Sequence, residues 1–180
     1  MAGKRDTIAA GSVHKFGISD KQGRAKRSDD PYLPGEGLHE KAICPKCNSI
    51  YKNKRWYLAE EVPENEKLDK DFAHVECPAC KKIAEGYHQG VVTLKGQFFW
   101  EHEKEILNLI HNEERKTLAK NPLQRIMSIK REEDALVIKT TEQKLAEHLG
   151  RAIHKAQHGD LKVSWDDNHS FCRVNWERRA

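Results

Sequence analysis

Apolar and polar positions along this chain fall into a stretch with almost no periodicity followed by a stretch with a great deal. From about Gly90 to Trp176, apolar residues recur at strand or helix spacing. Val91 to Leu94 is a short β-branched run between glycines, which predicts a strand. The segment FFWEHEKEILNLIHNEERKTLAKNP predicts one long helix with Phe99, Ile106, Leu109 and Ile110 on one face. Glu101, Glu103 and Glu105 near its start and Arg115 and Lys116 near its end suit the helix dipole. Asn121-Pro122 stops it. Ile126 to Ile129 and Ala135 to Lys139 read as two strands around an acidic turn, with a helical turn at Ile126 as the alternative. Thr140 and Gln143 suggest a capping box for a second helix striped by Leu145, Leu149, Ile153 and Ala156, and Gly159 ends it. Leu161, Val163 and Trp165, then Cys172, Val174 and Trp176, alternate as an antiparallel hairpin would. Such an order predicts an α+β fold: a small mixed sheet with two helices on one face.

The stretch before this is different. Residues 1–38 are rich in Gly, Pro, Ser and mixed charge, so a disordered or partner-ordered arm is expected there. Arg24, Lys26 and Arg27 could touch phosphate, although a solvated tail is the plainer reading. Residues 39–88 hold the cysteine pairs, and residues 89–180 form the α+β domain. Hydrophobic residues make up only 37% of the chain and mean hydropathy is −0.85, so the core must be modest. No apolar run approaches the roughly 20 residues of a membrane span, and the N-terminus has no apolar stretch of signal-peptide length. The expected location is cytoplasmic, where stable disulfides are rare. A net charge of +4 permits a nucleic-acid partner without requiring one.

Four of the five cysteines stand in two pairs, CPKC at Cys44 and Cys47 and CPAC at Cys77 and Cys80. Two such turns can each give a tetrahedral metal two thiolates. Pro45 and Pro78 fix φ in each turn. The 29 residues between Cys47 and Cys77 leave room for a hairpin turning near Asn53-Lys54, with Trp56 and Leu58 on the following strand. The expectation is an N-terminal four-cysteine zinc ribbon holding one structural Zn2+. A redox pair would need a helix after a pair, and neither pair precedes a convincing helical pattern. A rubredoxin-like iron site, which would make the chain an electron carrier, uses similar pairs. It favours Gly after the second cysteine, where Asn48 and Lys81 stand here. Four thiolates leave no open position for catalysis. No phosphate loop, nucleophile elbow, His-Glu-x-x-His or dinucleotide fingerprint appears. His154 and His158, four apart, fit a polar helix edge better than a metal site. Cys172 alternates inward and reads as a buried thiol.

With a closed cage, function is expected on the surface. Lys46, Lys52, Lys54, Arg55, Lys81 and Lys82 interleave with Tyr51, Trp56, Tyr57 and Tyr87 around the pairs. Cations neutralise phosphate, and aromatic faces stack on unpaired bases. Lys46, Lys52, Lys54, Arg55, Trp56, Lys81 and Lys82 are therefore the candidate RNA-binding set. The competing reading has the aromatic rings filling a tiny core under solvated lysines.

The run CPACKKIAEGYHQGVVTLKG, the long helix, ALVIKTTEQKLAEHLGRAI and LKVSWDD…FCRVNW together resemble the central region of the Nmd family. Those archaeal proteins and eukaryotic adaptors bind the large ribosomal subunit during its maturation and export. The resemblance covers about Cys44 to Trp176, and Ile83-Ala84-Glu85-Gly86-Tyr87 is its most specific part. The whole chain, with DPYLPGEGLHE and NPLQRIMSI, is closer still to a small bacterial family of zinc-ribbon proteins. The resemblance implies zinc ligation by Cys44, Cys47, Cys77 and Cys80, and a non-enzymatic protein that docks on ribosomal RNA or the large subunit in stress or assembly. Further cysteine pairs upstream and a translation-factor-like domain downstream, found in the larger family, are not seen. A protein-interaction adaptor that uses the arm or the acidic helix start, without RNA, is the alternative.

Overall fold

Asp30 begins the part of the chain that the computed structural model describes, which comprises residues 30–32, 41–67 and 72–180. The expected arm therefore lies almost wholly outside the described residues. Leu38–Ala180 forms one compact unit with two sheets. The first sheet is built from short strands β1 (Ala42–Ile43), β2 (Ile50–Lys52), β3 (Arg55–Tyr57) and β4 (Ala73–His74), in the order β3-β2-β1-β4. Asn53 and Lys54 both take positive φ, 50° and 65°, between β2 and β3. Left-handed backbone at both central residues matches the strand twist and closes the hairpin tightly. Helix α1 (Glu64–Lys67) and helix α2 (Pro78–Glu85) complete this module.

The second sheet contains β5 (Gly90–Lys95), β6 (Ile126–Glu132), β7 (Ala135–Thr140), β8 (Asp160–Trp165) and β9 (Cys172–Glu177), ordered β6-β7-β5-β9-β8. Only β5 and β9 run parallel, so the sheet is mixed, as expected. Between its strands come α3 (Gln97–Glu101), α4 (Glu103–Lys120) and α5 (Gln143–Gln157). Alternation along the strands sends Val92, Leu94, Leu136, Ile138, Cys172, Val174 and Trp176 to one face, where Phe99, Ile106, Ile110, Leu145, Leu149 and Ile153 of the helices cover them. Each fully buried aliphatic side chain there stabilises by about 1.5–3 kcal/mol. Trp176 buries its ring and satisfies its polar end, because Nε1 donates to the His158 carbonyl at 2.6 Å. Among the described residues, no helix is long and apolar enough to cross a membrane.

Three local expectations change. The single long helix is broken at His102, whose backbone (φ −113°, ψ 18°) leaves the helical region. Its N–H is shared between the carbonyls of Phe98 and Phe99, at 3.0 and 3.2 Å. The Thr140–Gln143 capping box does not form. Thr140 is the last residue of β7, and its hydroxyl donates to the Glu142 carbonyl at 2.9 Å. Ala156, placed in the apolar stripe of α5, is exposed.

Helix α5 approaches the sheet closely at Gly150. A Cβ there would stand 2.3 Å from Val174 Cγ1, and a β-branched neighbour on a central strand cannot swing aside. Gly150→Ala is expected to lower stability by about 1–3 kcal/mol through overpacking, measured by urea unfolding. An unchanged midpoint would mean that the helix and sheet can separate freely there.

Candidate metal centre

The two cysteine pairs converge by different local means. In the first, Ile43 ends β1 and the chain turns through Cys44 to Cys47, where Asn48 takes positive φ (60°). Two backbone bonds close this knuckle, Asn48 N–H to the Cys44 carbonyl and Cys44 N–H to the Ser49 carbonyl, both 2.9 Å. The left-handed position falls on asparagine, which adopts that backbone more readily than most residues.

The second pair corrects the sequence reading, because it does open a helix. Cys77 is the N-cap of α2, its Sγ accepts from the Cys80 N–H at 3.4 Å, and Pro78 occupies the first turn, where its missing N–H costs nothing. Gly86 ends the helix at φ 70°. Lys81 is an ordinary helical residue and needs no left-handed backbone. The module thus sets one knuckle against one helix N-terminus.

Cys44, Cys47, Cys77 and Cys80 bring all four Sγ atoms within 4.8 Å of one another. Cys47 Sγ and Cys77 Sγ lie 3.7 Å apart. A regular tetrahedron with metal–sulfur bonds of about 2.3 Å has edges of about 3.8 Å, so the spacing fits a bound ion. A disulfide between these two is excluded by the same distance, because a bonded pair sits near 2 Å. All five cysteines of the chain are free. The cluster can therefore hold a metal ion with four sulfur donors and no vacant corner.

Sulfur anions crowded this closely need positive neighbours. The Cys77 N–H donates to Cys44 Sγ at 3.3 Å, and the N-terminal end of α2 points its dipole at the cluster. Ser49 Oγ lies 3.2 Å from Cys47 Sγ. Arg125, just before β6, sends Nη1 to within 3.8 Å of Cys80 Sγ and donates from Nη2 to Ser49 Oγ at 3.3 Å. It is half-buried, and burial works against its charge, but the cysteines hold its pKa above the ordinary value. In the metal-free cluster a hydrogen bond from Cys77 pulls Cys47 down to about 3, so Cys47 carries the first negative charge. Cys77 is raised by that same bond and by burial, and burial pushes Cys80 up to about 11.

Arg125 and Ser49 were missed in the sequence. Ser49 had a local signal, standing two residues after a ligand. Arg125 had none, because 45 positions separate it from Cys80. Thr141 was missed too. This fully buried residue takes the Arg125 N–H on its hydroxyl at 2.8 Å and donates to the Leu123 carbonyl at 2.6 Å.

The candidate RNA-binding residues divide. Lys46 in the knuckle, Lys54 at the hairpin turn and Lys81 on α2 are exposed. Arg55 is exposed but donates to the Lys120 carbonyl at the end of α4 and lies over the Tyr57 ring. Lys52 is half-buried and paired with Glu66 at 2.7 Å. Two candidates must be withdrawn. Lys82 is only 1% exposed, with Nζ on Gln89 Oε1 at 2.8 Å and on the Thr141 carbonyl at 3.3 Å, so it joins the module to the sheet. Trp56, 5% exposed, is part of the module's core with Tyr51, and it offers no free face to a base.

Fold and site together define a chain that joins a four-cysteine module able to hold a metal ion to an α+β sheet domain. No protein-family model, no curated protein and no solved structure matches it.

Two outcomes follow from this geometry. A metal ion must displace the protons held on Cys77 and Cys80, so its affinity should rise with pH on the order of tenfold per pH unit for each proton released and fall as the solution is acidified. Competition with a chromophoric chelator from pH 6 to pH 8, as rough limits, measures it, and a flat profile would contradict the assigned protonation. Lys82→Ala should lower stability by about 1–3 kcal/mol, because Gln89 and Thr141 lose a buried partner. Lys81→Ala should not, and thermal unfolding of the pair compares them.

Proposed function

We propose that this is a non-enzymatic protein of the reducing cytoplasm, in which one structural Zn2+ shapes a module that docks on ribosomal RNA or the large ribosomal subunit, during stress or assembly. The observation that carries the reading is the closed four-sulfur cage, which leaves a metal no corner for substrate. Zinc suits it because the ion is content with four thiolates in a tetrahedron and needs no redox role. The asymmetry of the two turns, with Lys81 inside a helix, sits less well with an iron electron carrier.

Support for RNA comes from the resemblance carried by Cys44 to Trp176 and from the cations that stay exposed around the cage, Lys46, Lys54, Arg55 and Lys81. The contact between Arg55 and the Lys120 carbonyl brings the hairpin to the basic end of α4, which extends the charged surface beyond the module. Stacking by Trp56 and phosphate contact by Lys82 no longer contribute.

Tagged protein in native extracts should sediment with large-subunit fractions on a sucrose gradient at low salt, leave them at raised salt, and lose its partners on nuclease treatment. The purified protein should carry one zinc per chain. Absence from ribosomal fractions at every salt, or partners indifferent to nuclease, would favour a protein-interaction adaptor, and a coloured iron-loaded protein would favour electron transfer.

A further inference from the structure

Helices α4 and α5 cover one face of the five-stranded sheet, and the strand register sorts the other face into three rows across the strands. Val91 is flanked by Lys139 and Arg173, and these three mark the first row. The second row runs from Lys130, paired with Val137, through Thr93 to Asn175, paired with Lys162. The third carries Glu132, Lys95, Glu177 and Asp160. Charge is therefore segregated. The first two rows hold Lys130, Lys139, Lys162 and Arg173 with no acidic residue, and every carboxylate of this face is in the third row. Serine, threonine, asparagine and valine occupy the remaining positions of the basic rows.

Several cations elsewhere among the described residues are neutralised by carboxylates, and these four are not. Elsewhere on the surface Lys52 pairs with Glu66, Lys95 with Asp134, Arg131 with Glu103 and Arg151 with Glu147. Among the described residues, Lys130, Lys139, Lys162 and Arg173 make no ion pair. Three are exposed and Lys139 is half-buried. The register makes Lys130 a diagonal neighbour of Lys139, and Lys162 of Arg173, at about 7–8 Å between backbones. Lys139 and Arg173 are two strands apart, about 10 Å. The result is an arc of positive charge from one sheet edge to the other. It lies at the end of the sheet where Thr141 and Gln89 meet Lys82 of the cysteine module. Alternation puts Phe171 on this face too, with the Arg173 guanidinium 4.7 Å from its ring centre.

We propose that single-stranded RNA lies across this second face of the sheet, its phosphates held by Lys130, Lys139, Arg173 and Lys162. The inference rests on the RNA-docking reading and names a surface outside the metal module. A flexible polyanion fits an arc of unpaired cations separated by small polar groups. A protein partner would call for an apolar centre to the patch, and these rows have only two valines. The acidic third row repels phosphate and bounds the track, so the strand crosses the sheet beside the module and does not follow the β-strands. Phe171 supplies one ring beside the track on which a base can stack.

The test uses the full chain, with zinc bound, and a mixed-sequence single-stranded RNA of about 12 nucleotides, read by fluorescence anisotropy over a range of salt. The combined variant Lys130→Gln, Lys139→Gln, Lys162→Gln and Arg173→Gln should show a log affinity–log salt slope shallower by about 3, from four phosphate contacts at about 0.7 each, and affinity lower by on the order of a hundredfold at about 0.1 M salt. Should that variant melt early, Lys130→Gln with Lys162→Gln on the outer strands should still make the slope shallower by about 1.4. Replacing Glu132 and Glu177 by Gln should tighten binding. Wild-type binding with an unchanged slope in the sheet variants overturns this inference and leaves RNA docking to Lys46, Lys54, Arg55 and Lys81. No binding by the wild type at any salt overturns both. Sheet variants that lose only an acidic peptide or anionic vesicles, with RNA binding intact, also overturn it.

Discussion

Four sulfur atoms within 4.8 Å of one another are the constraint on which the rest of the structure depends. As thiolates they repel, and as thiols they fill the centre of the module with weak donors. Only a cation bound among them makes the arrangement strongly favourable. The module's buried cluster is small, consisting of Ala42, Cys44, Tyr51, Trp56, Cys77 and Ala79, and two of its members belong to the four-cysteine group. A core this small gains little from hydrophobic burial alone, and the binding energy of an ion held by the four cysteines would count as folding energy.

The same cluster governs how the module meets the sheet. Arg125 answers the sulfur charge with one end and, through its backbone, is bonded to Thr141, which follows directly on β7. Lys82 reaches from α2 to the Thr141 carbonyl and to Gln89 at the start of β5. The cysteine cluster, arginine, threonine and lysine thus form a continuous polar junction between the two sheets. Buried charge is tolerated there because each charged group has an acceptor or a sulfur beside it.

Much of the α+β domain was legible from local pattern. Strand alternation in Leu161–Trp165 and Cys172–Trp176 and the Leu145, Leu149, Ile153 stripe gave the elements and their inward faces, because one-sided burial imposes period 2 or 3.6 on the residues themselves. The expected cluster of Cys44, Cys47, Cys77 and Cys80 was legible for a similar reason: paired ligands in tight turns require fixed short spacing. The helix at Pro78 was not, since eight residues headed by a cysteine and a proline carry too little periodicity to separate a helix from a knuckle. Nor was the break at His102, where a shared hydrogen bond interrupts a pattern that looks continuous.

What the sequence determined by itself was composition over short range: four paired cysteines, two amphipathic helices, alternating strands and a basic surplus. Tertiary structure decided which of those charges face water. Lys81 and Lys82 are adjacent and chemically identical, yet one is solvated and the other is sealed between α2, Gln89 and Thr141. Lys130, Lys139, Lys162 and Arg173 are scattered over more than forty positions of chain and become neighbours only through the β6-β7-β5-β9-β8 order. Electrostatic interaction depends on distance through space, and strand pairing, which local pattern does not specify, sets that distance.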